Sequence, residues 1–440
     1  MDGPSIAVAV AAETFAMAAD EITDDLAFQS VPAWDSLGHV RLMMALQERL
    51  GCPIDQEAMA ELGSIAALKA FAARAVGGSA PAPVLERRDA VQRGLAGVTM
   101  DTTAISEIDA QGSMLSYRGY AVADLARHAG FEATAHLLIR GELPDAAAAA
   151  AFAALRDAGA AAAAPARDVL GRQDGPPLHA LAAAFATLPP AREDPAEDGI
   201  MALGQMAALA AAQAGAAPAA PGASCAARLL GAGAAADDIA TLDRVLVMLA
   251  DHGANASSLA ARVATGAQAH LRSALLAALA TFSGGVHGGA ADRVTAMLDA
   301  LPDPAAAAAE ARALLAAGRP VSGFGHRVYR QEDPRATLLR AEARALAARR
   351  GGHPDVAKLA AFEEAVAPYG NFGLAANVDL YLGTVLRLLG VRSGLAGPVF
   401  AVARTAGWVA QVLEQRAANV LIRPNLLYVG PPRRPLPPGA

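Results

Sequence analysis

Residues 323–335 read Gly-Phe-Gly-His-Arg-Val-Tyr-Arg-Gln-Glu-Asp-Pro-Arg, and residues 377–383 read Asn-Val-Asp-Leu-Tyr-Leu-Gly. The first stretch sets His326 among glycines and arginines, and the second sets one carboxylate, Asp379, between two apolar neighbours. A carboxylate that is partly shielded from water binds a proton more tightly and is a better base than a solvated one. Asp379 is therefore a candidate general base, and a helix-capping aspartate is the alternative interpretation.

Three further motifs carry polar or charged side chains. They read Ala-Asp-His252-Gly-Ala-Asn, Gly-Val-His287-Gly-Gly and Ala-Arg404-Thr-Ala-Gly-Trp. His287 lies among four glycines, which remove side-chain bulk and suit a residue that faces a substrate better than one that fills a core. Like His326, it would be most effective as a hydrogen-bond donor in a site that excludes water. Together the motifs place His252, His287 and His326, the carboxylate of Asp379 and the arginines at 335 and 404 in a fixed order.

The composition favours a helical protein with more than one domain. At 440 residues the chain is too long for one ordinary core, so two or three domains are expected. Hydrophobic residues make up 54% but aromatic residues only 4%, because alanine dominates, and alanine has the best helix propensity. Neither a signal peptide nor a run of about twenty strongly apolar residues is apparent. We therefore expect a soluble, cytoplasmic protein that does not bind membranes.

The negative charge is concentrated at the N-terminal end. Residues 1–76 hold eleven Asp or Glu and four Lys or Arg, so they carry the whole formal net charge of −7. This distribution argues against nucleic-acid binding and for a separate acidic domain. The two cysteines, Cys52 and Cys225, lie in unrelated contexts, and no metal-ligand spacing is visible. Neither a disulfide framework nor a bound metal is expected.

Four helices are predicted within residues 1–76. They are expected over residues 6–17, from Asp35 or Ser36 to Leu50, briefly near residues 55–62, and over residues 65–76. Asp35 and Ser36 are both suitable caps for the second helix.

A linker and a helical body are predicted to follow. The Gly-, Ser- and Pro-containing residues 77–93 read as a linker, part flexible and part extended. Residues 102–120 alternate around Ala-Gln-Gly, which predicts a small hairpin. Almost all of the remaining chain has helical spacing, including an alanine-rich stretch over residues 145–238.

The motifs, in their order, resemble the citrate synthase family over residues 94–430, roughly four fifths of the chain. The resemblance implies an all-α protein whose residues 94–440 form a two-domain helical body with a small N-terminal hairpin. Its large subdomain would comprise residues 94–286 and 384–430. Its small subdomain, residues 287–383, would close over the substrates.

The resemblance also implies a reaction and its residues. Asp379 would remove the proton alpha to the carbonyl of an acyl thioester, His287 would donate to the thioester oxygen, and His326 would donate to the ketone oxygen of oxaloacetate. Arg330 matches a basic position for coenzyme A phosphates, and no metal is implied. The residues implied in oxaloacetate binding are His252, Arg335, Arg404 and, from a neighbouring subunit, Arg423, so a homodimer is expected.

The N-terminal four-helix pattern resembles an acyl carrier protein. The resemblance rests on Asp35-Ser36-Leu37, which follows an acidic loop, and on the helix after it. It implies that Ser36 carries a covalent phosphopantetheine arm and that a phosphopantetheinyl transferase is a partner. A plain helix cap is the alternative role of this tripeptide.

Three positions depart from the citrate synthase pattern. Gly253 stands where the family has Glu, Ala291 stands where it has Asn, and Pro176-Pro-Leu-His179 replaces a His-Pro-Met segment. His179 is accordingly expected to be a surface or core residue. The main catalytic groups remain, so the identity of the acyl donor is the property that these departures leave open.

Two classes of function are consistent with the sequence. The first is an acyltransferase that condenses acetyl-CoA, another acyl-CoA or a carrier-bound acyl group with oxaloacetate and hydrolyses the thioester to give citrate or an alkylcitrate. The alternative is a non-catalytic scaffold that presents the acyl carrier domain to biosynthetic partners. Retention of all the catalytic groups favours the enzyme.

Overall fold

The computed structural model describes residues 2–28, 30–54, 56–76, 93–95, 97–109, 113–172, 175–190, 192–326, 328–329, 331–424 and 433. Residues 77–92 of the predicted linker lie outside the described residues, and so does Arg330.

The N-terminal module, residues 2–76, is a helical bundle with its own core. It contains α1 (Gly3–Phe15), α2 (Ser36–Leu50), α3 (Gln56–Glu61) and α4 (Ile65–Val76), which confirms the four predicted helices. Large apolar side chains from α2, α4 and the preceding loop are buried at its centre, including Trp34, Leu42, Met43, Leu46 and Leu68.

The start of α2 is fixed by Asp35. Its Oδ1 accepts a hydrogen bond of 2.8 Å from the backbone N–H of Gly38, three residues on. Asp35 is thus the N-cap, and Ser36 is the first residue of the helix. No side chain fits at Gly38, because a Cβ there would lie 2.0 Å from the carbonyl oxygen of Ala33.

The body begins with a small antiparallel sheet, β1 (Ser106–Asp109), β2 (Met114–Tyr117) and β3 (Tyr120–Ala121), in the order β1-β2-β3. The predicted hairpin is therefore present, and a short third strand extends it. The side chain of Tyr117 points into the body, where its hydroxyl donates to the carbonyl oxygen of Asp251 at 2.9 Å. The sheet thus packs beside the segment that carries His252.

Helices make up most of the body. The first ten are α5 (Val122–His128), α6 (Phe131–Arg140), α7 (Ala146–Ala162), α8 (Arg167–Leu170), α9 (Pro177–Ala186), α10 (Pro195–Ala214), α11 (Cys225–Leu230), α12 (Ala236–Leu249), α13 (Ala256–Gly266) and α14 (Leu271–Phe282). They are followed by α15 (Ala290–Ala300), α16 (Pro304–Ala316), α17 (Pro334–Arg349), α18 (Pro354–Val366), α19 (Val378–Leu388) and α20 (Ala396–Ala418).

Two apolar cores hold the body together. The larger one surrounds α10 and α20, which are almost entirely buried, and it also includes parts of α15, α17 and α19. The smaller one, which we call the small core, joins α16 to α18 and includes Leu315, Val321 and Phe362, with Phe324 and Leu374 packed against it. Phe324 lies two residues before His326, so the small core supports the segment that carries this histidine.

One stretch of the described chain, Ala146–Leu170, has the length and apolar composition of a membrane span. Its apolar character comes largely from alanine, and a 3-10 turn at Ala164–Ala166 separates α7 from α8. Because α7 packs along α10 of the larger core, this stretch is weak evidence for a membrane span.

Candidate active site

His326 and Asp379 are brought together by backbone pairing between their two segments. Phe324 forms an antiparallel bridge with Ala376, and the N–H of Asn377 donates to the carbonyl of Gly323 at 2.9 Å. The side-chain amide of Asn377 also donates to the carbonyl of Gly325 at 2.9 Å, and its Oδ1 caps α19. One asparagine thus joins the glycine-rich segment to the helix that carries Asp379.

Asp379 occupies the first turn of α19, beside the positive end of the helix dipole. Desolvation nevertheless raises the pKa of its carboxyl to about 6, since nearby Arg335 only partly offsets the loss of water. Among the described residues its side chain has no hydrogen-bond partner, although its own N–H is bonded to Asn377. Asn377 therefore performs the capping, and the Asp379 carboxylate does not.

His326 has a defined tautomer. Its Nδ1 accepts hydrogen bonds from the backbone N–H groups of Val328 at 3.0 Å and Tyr329 at 3.1 Å. Burial, assisted by Arg335, lowers the pKa of the ring to about 4, so the imidazole is neutral at pH 7. The single ring proton must then be on Nε2, and that N–H is available as a donor.

His252 is buried beside His326 and Tyr329. Its Nε2 lies 3.2 Å from the Tyr329 hydroxyl, and its ring centroid lies 5.2 Å from that of His326. Burial lowers the pKa of His252 well below its usual value, and Arg335 acts in the same direction. These rings form an uncharged wall of the site.

His287 is held from behind by a polar cluster on α13 and α20. Its Nε2 lies 2.9 Å from Oγ of Ser257, and this oxygen accepts a hydrogen bond of 3.1 Å from the Trp408 indole N–H. Asn255 Oδ1 is 3.3 Å from the same Nε2. Burial lowers the pKa of His287 to about 4, with a further contribution from Arg404. Like His326, it is neutral at pH 7.

The glycines around His287 have a more specific role than the one expected. A Cβ at Gly288 would lie 2.5 Å from the ring of Phe282, whose centroid is 4.7 Å from that of His287. Glycine is needed there so that the loop can pack on Phe282, whereas Gly284, Gly285 and Gly289 have no contact that close.

Arg404 lies on buried α20 without a carboxylate partner within 4 Å among the described residues. Its Nε donates to the carbonyl of Leu249 at 2.8 Å, and its guanidinium lies 4.9 Å from the ring centroid of Phe400. Burial lowers its pKa to about 10, which is still high enough for a full positive charge at pH 7. Arg404 therefore supplies a buried cation to the site.

Arg335 is also buried, but its guanidinium is already engaged. Its Nε and Nη2 donate to the two carboxylate oxygens of Asp333 at 3.0 and 2.8 Å. Asp333 also accepts from the N–H of Val378 at 3.2 Å, which ties the pair to the start of α19. The Nε/Nη2 edge of Arg335 is thus occupied. Among the described residues the other edge, formed by Nη1 and the second N–H of Nη2, has no partner and is left for an anion.

Asp251 stabilises the site through buried hydrogen bonds. Fully buried, it accepts hydrogen bonds from Oγ of Ser106 at 2.6 Å, from the N–H of Gly253 at 3.1 Å and from Nε2 of Gln411 at 3.3 Å. It also offsets the burial of Arg404, since its negative charge raises the pKa of that group. The Gly253 that replaces the family's Glu has φ 56°, a conformation that favours glycine.

Three other predicted residues lie at the protein surface or in the N-terminal module. Arg423 is exposed on the segment after α20, and His179 is exposed at the start of α9. Ser36 begins α2 of the N-terminal module, and Arg330 lies outside the described residues. No group of three potential ligands that could hold a metal ion occurs in the part of the chain that the structure describes.

Several residues of the site had no assigned role in the sequence analysis. Tyr329, Asp333, Asn377 and Trp408 all belong to the quoted motifs, so their position beside assigned residues was a usable signal. Ser257 lies five residues after His252 and had no comparable signal. Its role depends on a contact with a histidine 30 residues away.

The fold and site define a class of helical protein in which one desolvated carboxylate lies near neutral histidines and buried arginines. The family described as citrate synthase, C-terminal domain, matches residues 94–425. A 2-methylcitrate synthase from Mycobacterium tuberculosis is 34% identical over 395 residues, covering 85% of this chain and 99% of that protein. A citrate synthase from Haloferax volcanii is 36% identical over 366 residues, covering 77% and 96%.

Solved structures of citrate synthases are similar to this chain in fold. A citrate synthase from Thermoplasma acidophilum, in a ternary complex with carboxymethyl coenzyme A and oxaloacetate, has a TM-score of 0.73 and 25% identity, covering 80% of this chain and 99% of that one. A citrate synthase from Thermotoga maritima has a TM-score of 0.72 and 28% identity, covering 79% and 99%. The chain belongs to the citrate synthase family.

Proposed function

We propose that this protein is an acyltransferase that condenses an acyl thioester with oxaloacetate and hydrolyses the product to citrate or an alkylcitrate. The observation that carries the proposal is the Asp379 carboxylate. It is desolvated, it has a pKa of about 6, and it shares the site with two buried arginines and neutral histidines. Membership of the family, whose relatives include a citrate synthase and a 2-methylcitrate synthase, supports the choice of substrates.

The first step is proton transfer to Asp379. The carboxylate takes a proton from the carbon alpha to the thioester carbonyl, and the carbonyl oxygen gains negative charge as an enolate forms. His287 can donate to this oxygen when its ring proton is on Nδ1. In that state Nε2 is an acceptor, so the Ser257 hydroxyl, which donates to Asn255 Oδ1 at 2.8 Å in the structure, must turn its proton to Nε2 while its oxygen keeps accepting from the Trp408 N–H.

Carbon–carbon bond formation and hydrolysis follow. The enolate carbon attacks the ketone carbon of oxaloacetate, and the ketone oxygen takes the proton from Nε2 of His326. Water then adds to the thioester carbonyl, the carbon–sulfur bond breaks, and the sulfur leaves as the thiol with one proton of the water. The carboxylic acid that forms ionises, and the proton that Asp379 took is returned to Nε2 of His326, which resets both groups. Arg404, the free edge of Arg335 and the neutral His252 would bind the oxaloacetate carboxylates in a site that offers few competing anions.

The direct test is thiol release with oxaloacetate and acetyl- or propionyl-CoA. Asp379→Asn should lower turnover by about a hundred-fold or more, because a positioned general base is lost. The matched control is Asp299→Asn, which removes an exposed carboxylate that pairs with Arg387. Equal turnover in wild type and Asp379→Asn would rule out the proposed base.

The acyl group can be delivered on coenzyme A or on the N-terminal module. A carrier function is supported by the acidic composition of the module, by its four helices and by the position of Ser36 at the first turn of α2. Under carrier delivery, a phosphopantetheinyl transferase adds one arm at Ser36, and Ser36→Ala loses turnover only with carrier-bound acyl groups. Intact mass after incubation with the transferase measures the modification directly.

A non-catalytic scaffold is the second candidate. Its specific support is the loss of two polar side chains from the family's motifs, at Gly253 and Ala291. A scaffold would bind oxaloacetate or partners without releasing thiol from any acyl donor. Thiol release that depends on both oxaloacetate and Asp379 excludes it.

A further inference from the structure

We propose that the N-terminal module docks in cis on the outer face of the small core, with Arg41 at the contact. The guanidinium of Arg41, on α2, lies against Gly318, at the end of α16. Nη1 of Arg41 is 2.5 Å from the point that a Cβ of Gly318 would occupy, and Cζ is 3.6 Å from it. A side chain at this position would therefore require the guanidinium of Arg41 to move.

The contact is electrostatically favourable. Gly318 follows the last turn of α16, where backbone carbonyl groups give the helix end a partial negative charge. The positively charged Arg41 is thus placed where a cation stabilises a helix end. The conformation of Gly318, with φ 65°, also favours glycine, so the same residue ends the helix and admits the arginine.

A recess of about 780 Å³ extends the contact between the module and the body. The module lines it with one face of α2 and the loop that follows, and the body lines it with Leu315, Ala316 and Tyr369. Because the two parts belong to one chain, the effective concentration is high and even a weak contact is occupied.

The docking face is connected to the catalytic segment by the small core. Leu315 lines the recess and is a member of this core, against which Tyr369, Phe324 and Leu374 also pack. Phe324 and the residues after Leu374 form the bridge that joins His326 to Asp379. The module therefore docks on the far side of the same apolar cluster that supports the site.

Chemical cross-linking tests this docking in the full-length protein. Cys52 and Ala316 both line the recess, and the other cysteine, Cys225, is buried. In the Ala316→Cys variant, a short bis-maleimide should join Cys52 to the new cysteine at position 316 within one chain. The control variant is Ala146→Cys, which introduces an exposed cysteine on α7. We expect the cross-link to form about tenfold faster in Ala316→Cys than in Ala146→Cys. Intact mass distinguishes a cross-linked monomer from a cross-linked pair of chains.

Charge reversal tests the role of Arg41. Arg41→Glu should slow the reaction of Ala316→Cys about fivefold, because it places a carboxylate at the negative end of α16. Arg49→Glu changes the net charge by the same amount. Because Arg49 pairs with Glu13 inside the module, this substitution should have little effect on the cross-linking rate. Cys52→Ser in the Ala316→Cys background should abolish the cross-link.

Three results would overturn the proposal. The first is an equal rate of cross-linking to Cys52 from positions 316 and 146. The second is cross-linking that occurs only between chains. The third is an equal change in the cross-linking rate in Arg41→Glu and Arg49→Glu. Neither condensation nor modification of Ser36 enters this test, so its failure is separable from failure of the proposed function.

Discussion

At the scale of single residues, the chemistry depends on keeping ionisable groups away from water. Burial raises the pKa of Asp379 to about 6 and lowers the pKa values of His287 and His326 to about 4. Near pH 7 the aspartate is therefore a charged base and the two histidines are neutral donors. These protonation states are the ones that proton abstraction and donation require.

The rate should follow the Asp379 titration. We expect kcat/KM to rise as the pH increases through about 6 and then to level off, because only the carboxylate form accepts a proton. A pH–rate profile between 5 and 8, with structural integrity monitored by circular dichroism, measures this. A rate that falls across this interval would contradict the assignment of Asp379 as the base.

The stability of the folded protein should fall with rising pH because of the same residue, whereas the rate should rise. The folded-state pKa of Asp379 lies above its unfolded value of 3.8, so the folded protein binds this proton more tightly and loses stability as the pH rises from about 4 to about 6. Asp379→Asn removes that cost. Because the residue is partly exposed to the cleft, we expect a gain of about 1–3 kcal/mol at pH 8 and almost none at pH 4, measured by denaturant unfolding.

Asp251 should matter for stability more than an ordinary aspartate. Asp251→Asn weakens three buried hydrogen bonds and removes a negative charge near Arg404, so we expect a loss of about 2–4 kcal/mol. The control is Asp124→Asn, since Asp124 is exposed and pairs only with exposed Arg127. Similar unfolding midpoints for the two variants would show that the Asp251 network contributes little.

At the scale of elements, the site is assembled by short connections between helices. The segment before α17 and the segment before α19 pair through one bridge, and Asn377 completes the connection. The bridge requires close approach at Gly323, where φ is 85° and a Cβ would lie 2.7 Å from Leu380.

Gly323→Ala should therefore displace α19 together with Asp379. We expect lower turnover and a loss of about 1–3 kcal/mol, from strained backbone and from steric overlap with Leu380. Gly351→Ala provides the matched control, because Gly351 has φ 78° but no atom within 4 Å of the added methyl group. A loss of turnover in both variants would indicate that backbone strain alone lowers turnover. No loss in either variant would show that the close approach of Gly323 to Leu380 is unimportant.

At the scale of the whole molecule, the position of Arg423 suggests sharing of sites between subunits. In one chain Arg423 is exposed on the segment after α20, whereas Arg404 and His252 are buried. A homodimer in which this arginine enters the neighbouring site would account for its place in the family motif.

Mixed dimers test the shared site. Arg423→Ala and Asp379→Asn chains should each be inactive alone, and co-refolding should restore activity, because one of the two sites regains both groups. Native mass spectrometry verifies that mixed dimers have formed. Mixed dimers that remain inactive would show that each chain builds its own site.

The sequence by itself determined the local structure and the family, and it predicted the candidate reacting groups. Asp35, Gly51 and the apolar spacing between them place α2, and the motifs around His287, His326 and Asp379 indicate the family. Local rules are sufficient here because caps, turns and helix periodicity depend on residues within a few positions of each other.

Only the tertiary structure decided the pKa values, the tautomers and the available donor groups of these side chains. The contact of His252 with Tyr329 joins residues 77 apart, and that of Trp408 with Ser257 joins residues 151 apart. The pairing of Arg335 with Asp333 is local in sequence, but its burial against α19 is not. A pKa, a tautomer and a free donor edge each depend on which atoms replace water around a side chain, and folding alone sets those neighbours.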